Sequence, residues 1–290
     1  MQFRYGMFMN FWENSWKADF VKYIKKCQAL GFDVLEFQAQ SLLEMSDDEI
    51  RALRRVADEH GIELTYSLGL DKKYDIASLD EETQKRGVEY LSAIIEKVHV
   101  AGGRIISGVS YAGWGVPDVV DVERATENSI KNMKILSKKA EEYGITYGIE
   151  AVNRFEGVVI NTAKQARAYV DRVGSKNVGV LLDTYHMNIE EDSIADAIRT
   201  AGDKLVGFHV GENNRTVPGN GYGHINWKEI FDALKEVNYQ GRIVAEPFIK
   251  SGGEVGNAIF VWRDLVENAT EEVRDAQAAN MLKFFKELER

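Results

Sequence analysis

The sequence predicts an α/β fold built as a single (β/α)8 barrel over residues 1–290, and three observations lead there. Short β-rich runs alternate strictly with amphipathic stretches along the whole chain. Seven of these junctions carry a glycine. No Gly-x-Gly-x-x-Gly turn follows an early strand, so an open dinucleotide-binding sheet has no support. Strict alternation implies a parallel sheet with right-handed crossovers, and 290 residues suit one closed barrel.

Each junction has a physical reason. A helix C-terminus favours a left-handed residue just past its end, and glycine enters that conformation without steric cost. Gly31 precedes Phe-Asp-Val-Leu-Glu-Phe, Gly61 precedes Ile-Glu-Leu-Thr-Tyr, and Gly102-Gly103 precedes Arg-Ile-Ile-Ser. Gly144 leads into Ile-Thr-Tyr-Gly-Ile-Glu, Gly174 towards Val178 to Asp183, Gly202 towards Leu205 to Val210, and Gly241 into Arg-Ile-Val-Ala-Glu. An opening strand from Phe3 to Phe11 makes eight.

Between the strands, Phe20, Ile24, Cys27 and Leu30 recur at helical spacing and form one apolar stripe. Ser46-Asp-Asp-Glu49 is a capping box that opens a helix with Ile50, Leu53 and Val56 inward. Leu91, Ile94, Ile95 and Val98 repeat the pattern, as do Ile130, Met133, Leu136 and Ala140, and Val273 to Leu288 supplies the last helix. Pro117, Pro218 and Pro247 all fall just after predicted strands, in loops at the C-terminal face.

Composition narrows the function. A 44% hydrophobic, 28% charged chain is ordinary for a globular protein. A net charge of −10 weighs against a broad nucleic-acid or anionic-membrane surface. The apolar runs are strand-sized, too short to span a membrane. Met-Gln-Phe-Arg leads directly into structured sequence, and the one cysteine, Cys27, permits no internal disulfide. The expected location is the cytoplasm.

In such barrels the C-terminal strand ends carry the chemistry. Glu150 ends strand five, Asp183 ends strand six, His209 lies at the end of strand seven and Glu246 ends strand eight. A lone glutamate or histidine at a strand end is usually a cap, a loop acid or a core residue. Four at successive equivalent positions, on neighbouring strands about 4.8 Å apart, converge on one point. Three carboxylates and an imidazole with no thiolate nearby suit Mn²⁺, Mg²⁺ or Co²⁺ and disfavour structural zinc. Glu156, His186 and Arg215 fall on the loops that follow and face the same rim. A guanidinium there suits oxygen-rich substrate groups. His60 and His99 lie on predicted helices and read as structural.

Three stretches are more specific than any short motif: Glu150-Ala-Val-Asn-Arg-Phe-Glu156, Leu182-Asp-Thr-Tyr-His-Met-Asn-Ile-Glu-Glu191 and His209-Val-Gly-Glu-Asn-Asn-Arg215. Glu246-Pro-Phe, Gly252-Gly and Val261-Trp-Arg-Asp264 add to them. On these residues the chain resembles the ketose 3-epimerases, the D-tagatose 3-epimerase and D-psicose (D-allulose) 3-epimerase family of the xylose-isomerase-like barrels. The resemblance runs over nearly the whole chain. It implies one divalent metal ion per subunit, Mn²⁺ first, on Glu150, Asp183, His209 and Glu246, with Glu150 and Glu246 as the acid/base pair. It also implies that Glu156, His186 and Arg215 hold the O1 to O3 region of a ketose. Phe8, Ser67 and Trp114 would line the pocket, as in the tagatose-epimerase branch. The reaction implied is epimerisation of a free ketose at C3 through a cis-enediolate, in a homodimer or homotetramer.

Two departures from the family pattern bear on sugar preference. The opening reads Met9-Asn-Phe-Trp12 in place of Tyr-x-Tyr-Trp, and the loop Pro218 to Trp227 is about two residues longer than usual. Competing readings are another isomerase on the same barrel (aldose–ketose isomerase, hydroxypyruvate isomerase or inosose dehydratase), an endonuclease-IV-like repair enzyme, or a sugar-binding protein without catalysis. Five histidines in all and the acidic balance weigh against the nuclease.

Overall fold

In a computed structural model that describes residues 3–290, eight parallel strands close into a barrel in sequence order. They are β1 (Arg4–Phe8), β2 (Val34–Gln38), β3 (Glu63–Gly69), β4 (Ile105–Val109), β5 (Thr146–Glu150), β6 (Val178–Asp183), β7 (Leu205–Val210) and β8 (Arg242–Ala245). β1 pairs with β8 through Tyr5 opposite Ile243 and Met7 opposite Ala245, which closes the ring without a free edge. The strands are buried almost throughout, as expected when helices cover the outside and side chains fill the lumen.

The helices are α1 (Phe20–Leu30), α2 (Asp47–Glu59), α3 (Glu81–Val100), α4 (Val122–Tyr143), α5 (Ala163–Val173), α6 (Thr184–Glu190), α7 (Ile194–Ala201), α8 (Trp227–Glu236), α9 (Gly253–Ala258) and α10 (Glu271–Glu289). Among the described residues, none is long and apolar enough to cross a membrane. The capping box on α2 forms as predicted, with Ser46 accepting from the Glu49 N–H and Glu49 answering the Ser46 N–H. Gly31 and Gly144 close α1 and α4 in the left-handed conformation, at φ 84° and 66°.

Three boundaries differ from expectation. The opening strand stops at Phe8, and Met9–Phe11 turns over the rim as a short 3₁₀ segment. Asn10 holds that turn by donating to the Glu13 and Ser15 carbonyls at 3.0 and 2.9 Å. After α8 the left-handed position belongs to Asn238, at φ 54°, rather than to Gly241. The short helix α6 opens directly on the end of β6, with the Asp183 carboxylate accepting from the Tyr185 N–H at 2.6 Å.

Candidate active site

Register brings the strand ends together. Asp183 on β6 lies opposite His209 on β7, and Val210 lies opposite Ala245, the residue before Glu246. Glu150 ends β5 one strand further round. One donor atom from each of Glu150, Asp183, His209 and Glu246 lies within 4.8 Å of every other. A cation with oxygen or nitrogen ligands about 2.0 to 2.4 Å away spans donors at that separation. In this cluster Glu150 Oε1 and His209 Nδ1 are buried with no hydrogen-bond partner among the described residues. Buried polar atoms are normally satisfied, so this pair of orphans fits a metal ion that completes the site.

The electrostatics agree. Burial, with the Glu246 and Asp183 charges, raises the Glu150 carboxyl well above the usual range, although His209 pulls the other way. Burial works against a charged His209, yet the Glu36 and Glu246 carboxylates raise its pKa well above normal. Burial also opposes ionisation of Glu156, but Arg215 and His186 hold it below the ordinary value.

Two members of the cluster, Glu150 and Glu246, lie at the floor of a cavity of about 850 Å³ at the C-terminal mouth of the barrel. Glu150, Glu246, Glu156, His186 and Arg215 line it, with Ser67 and Trp114 on the wall. His186 reaches it because Asp183 caps α6 and the helix turns its third residue inward, to 3.7 Å from Glu150 Oε1. The Arg215 guanidinium is packed between the rings of Tyr185 and Phe248, at 4.3 and 4.9 Å, and its Nη2 stands 3.8 Å from Glu246 Oε2. Trp114 donates from Nε1 to Glu156 Oε2 at 3.3 Å.

The comparisons with known proteins point to the same chemistry. A family model described as xylose isomerase-like TIM barrel matches residues 24–281. The D-psicose 3-epimerase of Enterocloster bolteae is 40% identical over 97% of this chain and 94% of its own length. The D-psicose 3-epimerase of Agrobacterium fabrum is 40% identical over 97% of both chains. A crystal structure of D-psicose 3-epimerase with D-tagatose, from Clostridium cellulolyticum H10, superposes with a TM-score of 0.96 at 38% identity over 99% of each chain. The chain belongs to the ketose 3-epimerases. It is therefore an enzyme of the isomerase class, on a xylose isomerase-like barrel.

Within this epimerase, one expected pocket residue stands elsewhere. Phe8 is fully buried behind the wall and packs edge-on against Phe248, 5.8 Å between ring centres, so that Phe248 lines the cavity in its place. The two departures from the family pattern also lie off the cavity: among the described residues that line it, none comes from 9–12 or 218–227. The longer loop is held on the outside instead. Asn220 donates to the Gln277 carbonyl at 3.0 Å, and Trp227 donates to the buried Glu212 at 2.7 Å.

Sequence reasoning missed Glu36, on β2. Its carboxylate is fully buried in the barrel lumen, with Oε1 2.9 Å from His209 Nε2. Thr65 and Ser107 donate to its other oxygen at 2.8 and 3.3 Å. The contact turns the opposite nitrogen, Nδ1, towards Glu246 at 3.7 Å and the cluster. A signal was available: a carboxylate in the middle of an apolar strand rarely sits buried without a partner.

Proposed function

We propose that this chain is a metal-dependent ketose 3-epimerase that interconverts free ketoses at C3, with D-fructose/D-allulose and D-tagatose/D-sorbose as candidate pairs and L-ribulose as a further substrate. One observation carries the reading: two carboxylates from β5 and β8, Glu150 and Glu246, meet at the floor of a sugar-sized cavity beside Asp183 and His209. The C3 hydrogen of a ketose is acidic because it neighbours the C2 carbonyl. Epimerisation removes that proton from one face and returns one to the other, which needs two acid/base groups that exchange roles. Glu150 and Glu246 take these roles.

Glu150, Asp183, His209 and Glu246 would hold a divalent ion, with Mn²⁺ the first choice for this hard donor set and Co²⁺ or Mg²⁺ as alternatives. When bound, the ion supplies Lewis-acid stabilisation to the oxygens of the enediolate. Arg215 and His186 present N–H donors beside Glu246 and Glu150, where negative charge develops on the sugar. Glu156, held by Asn153 and Trp114, offers an acceptor for a substrate hydroxyl. Ser67 and Trp114 form the wall against the rest of the sugar.

The same proposal takes residues 1–290 as one catalytic domain that works in the cytoplasm as a homodimer or homotetramer. The pairing of β1 with β8 supports the first point. The exposed Phe155, Phe260 and Trp262 at 69, 57 and 71% support self-association. The test is a product screen. Chelator-stripped protein is refilled with Mn²⁺, Co²⁺ or Mg²⁺ and incubated with D-fructose, D-tagatose and L-ribulose. C3 epimers that form only with metal are the expected result. Aldose products, or no turnover with any metal, would refute it.

A further inference from the structure

Asn153 sits in the loop after β5, fully buried beside Glu156 and His186, and every polar atom of its side chain is used. Its Oδ1 accepts from the Phe155 N–H at 3.0 Å. That acceptor role fixes the orientation of the amide, so Nδ2 faces Glu156 Oε1 at 2.9 Å and His186 Nδ1 at 2.8 Å. The backbone N–H of Asn153 also points at His186 Nδ1, at 3.2 Å. A backbone N–H can only donate, and so can the amide NH₂. Two donors on Nδ1 leave no place for a proton there. A doubly protonated ring would need a proton on Nδ1 as well, so the ring is neutral and its single proton belongs on Nε2.

The far side of the ring then has a definite meaning. Nε2–H faces the cavity beside Arg215 Nη2, 3.4 Å away, and the guanidinium also only donates. These two groups are therefore not bonded to each other. They are neighbouring donors without a shared acceptor among the described residues, since Glu150 Oε1 lies 3.7 Å from Nε2, beyond hydrogen-bond reach. An oxygen placed between them would complete both.

We infer that Asn153 is a positioning residue: it locks His186 in the tautomer protonated at Nε2, so that His186 and Arg215 present paired donors to one oxygen of the sugar. The use of that donor pair rests on the epimerase reading. The tautomer does not. With the proton on Nδ1 instead, Nε2 would present a lone pair to the substrate and compete for its hydroxyl protons. Asn153 thus sets the sign of the interaction as well as its direction.

The test reads the tautomer directly. Protein labelled with ¹⁵N-histidine is loaded with diamagnetic Mg²⁺ and examined by long-range ¹H–¹⁵N correlation. The His186 signals among the five histidines are identified by their loss in His186→Gln. The expected spectrum has an unprotonated Nδ1 and a protonated Nε2; a protonated Nδ1 overturns the inference without any variant of Asn153. Asn153→Leu keeps only the longer backbone N–H contact on Nδ1, at 3.2 Å, and should then raise the population protonated at Nδ1 and lower kcat/KM on the best ketose by about 10- to 100-fold, the usual size for a residue that orients a functional histidine. Glu156→Gln keeps the Asn153–His186 contacts and should leave the tautomer unchanged. A tautomer shift in Glu156→Gln equal to that in Asn153→Leu would move the role to Glu156 and overturn the assignment. Full kcat/KM in Asn153→Leu would also overturn it. Absence of turnover on every ketose, with the expected tautomer present, would refute the epimerase reading and leave the lock in place.

Discussion

The two ends of this barrel handle buried charge in opposite ways. At the N-terminal end, Glu63 at the start of β3 accepts from Arg4 on β1 and from Arg242 on β8, with Arg242 Nε at 2.9 Å. Positive charges outnumber the carboxylate, every Glu63 oxygen is engaged, and the three strands are tied across the ring. At the C-terminal end, three carboxylates crowd one imidazole within 4.8 Å, and two of their buried polar atoms have no partner among the described residues. The first end is complete by itself and reads as structure. The second is left incomplete, and sites with unmet chemistry of that kind are where function concentrates.

That contrast predicts a double dissociation. Glu150→Gln should lower epimerisation by roughly 10² to 10⁴-fold, the range of a lost acid/base group. The melting temperature of the metal-free protein should hold or rise, because one of three mutually repelling carboxylates is gone. Steady-state rates and calorimetry on the same sample read both halves. Glu63→Gln should do the reverse, and cost about 2 kcal/mol of stability by leaving two guanidiniums without their carboxylate. Partial exposure of Arg4 and Arg242, 46 and 24%, keeps that cost below the figure for a dry pair. Its kcat/KM should stay within about twofold of the parent. An inactive but stable Glu63→Gln would break the comparison.

A smaller effect sharpens the picture at the metal end. Glu36→Gln removes the carboxylate against His209 Nε2 and should weaken Mn²⁺ binding about 10- to 100-fold, measured by titration calorimetry on stripped protein. The thermal shift on adding Mn²⁺ should shrink in step, since a ligand stabilises the fold in proportion to its occupancy. Unchanged Mn²⁺ affinity would show that His209 is oriented by its ring packing alone.

The candidate cluster was legible because Glu150, Asp183, His209 and Glu246 each occupy a strand end, and parallel register carries sequence position directly into space. Glu36 was not legible for the converse reason. It lies mid-strand on β2 and meets His209 on β7 across the lumen, a distance that no spacing along the chain encodes. Phe8 was assigned to the pocket and lies one layer behind it, because Phe248 from the β8 loop folds in front of it. The opening strand was read three residues too far at its C-terminal end, since Met9 and Phe11 are as apolar as the strand before them and only Asn10 marks the turn. Asn153 stood inside a stretch already singled out, but its effect on His186 depends on α6 turning back at Asp183.

In the proposed reaction Glu150 and Glu246 move the C3 proton from opposite faces. Solvent exchange at that carbon tests it most directly. Mn²⁺-loaded parent protein and Glu246→Gln are incubated with D-fructose in D₂O, and deuterium at C3 is followed by NMR. Parent protein is expected to place deuterium at C3 of both epimers, whereas Glu246→Gln, given D-fructose and D-allulose in separate incubations, should form no epimer and exchange C3 of at most one of the two. Normal C3 exchange of both epimers in metal-loaded Glu246→Gln would contradict the two-carboxylate scheme.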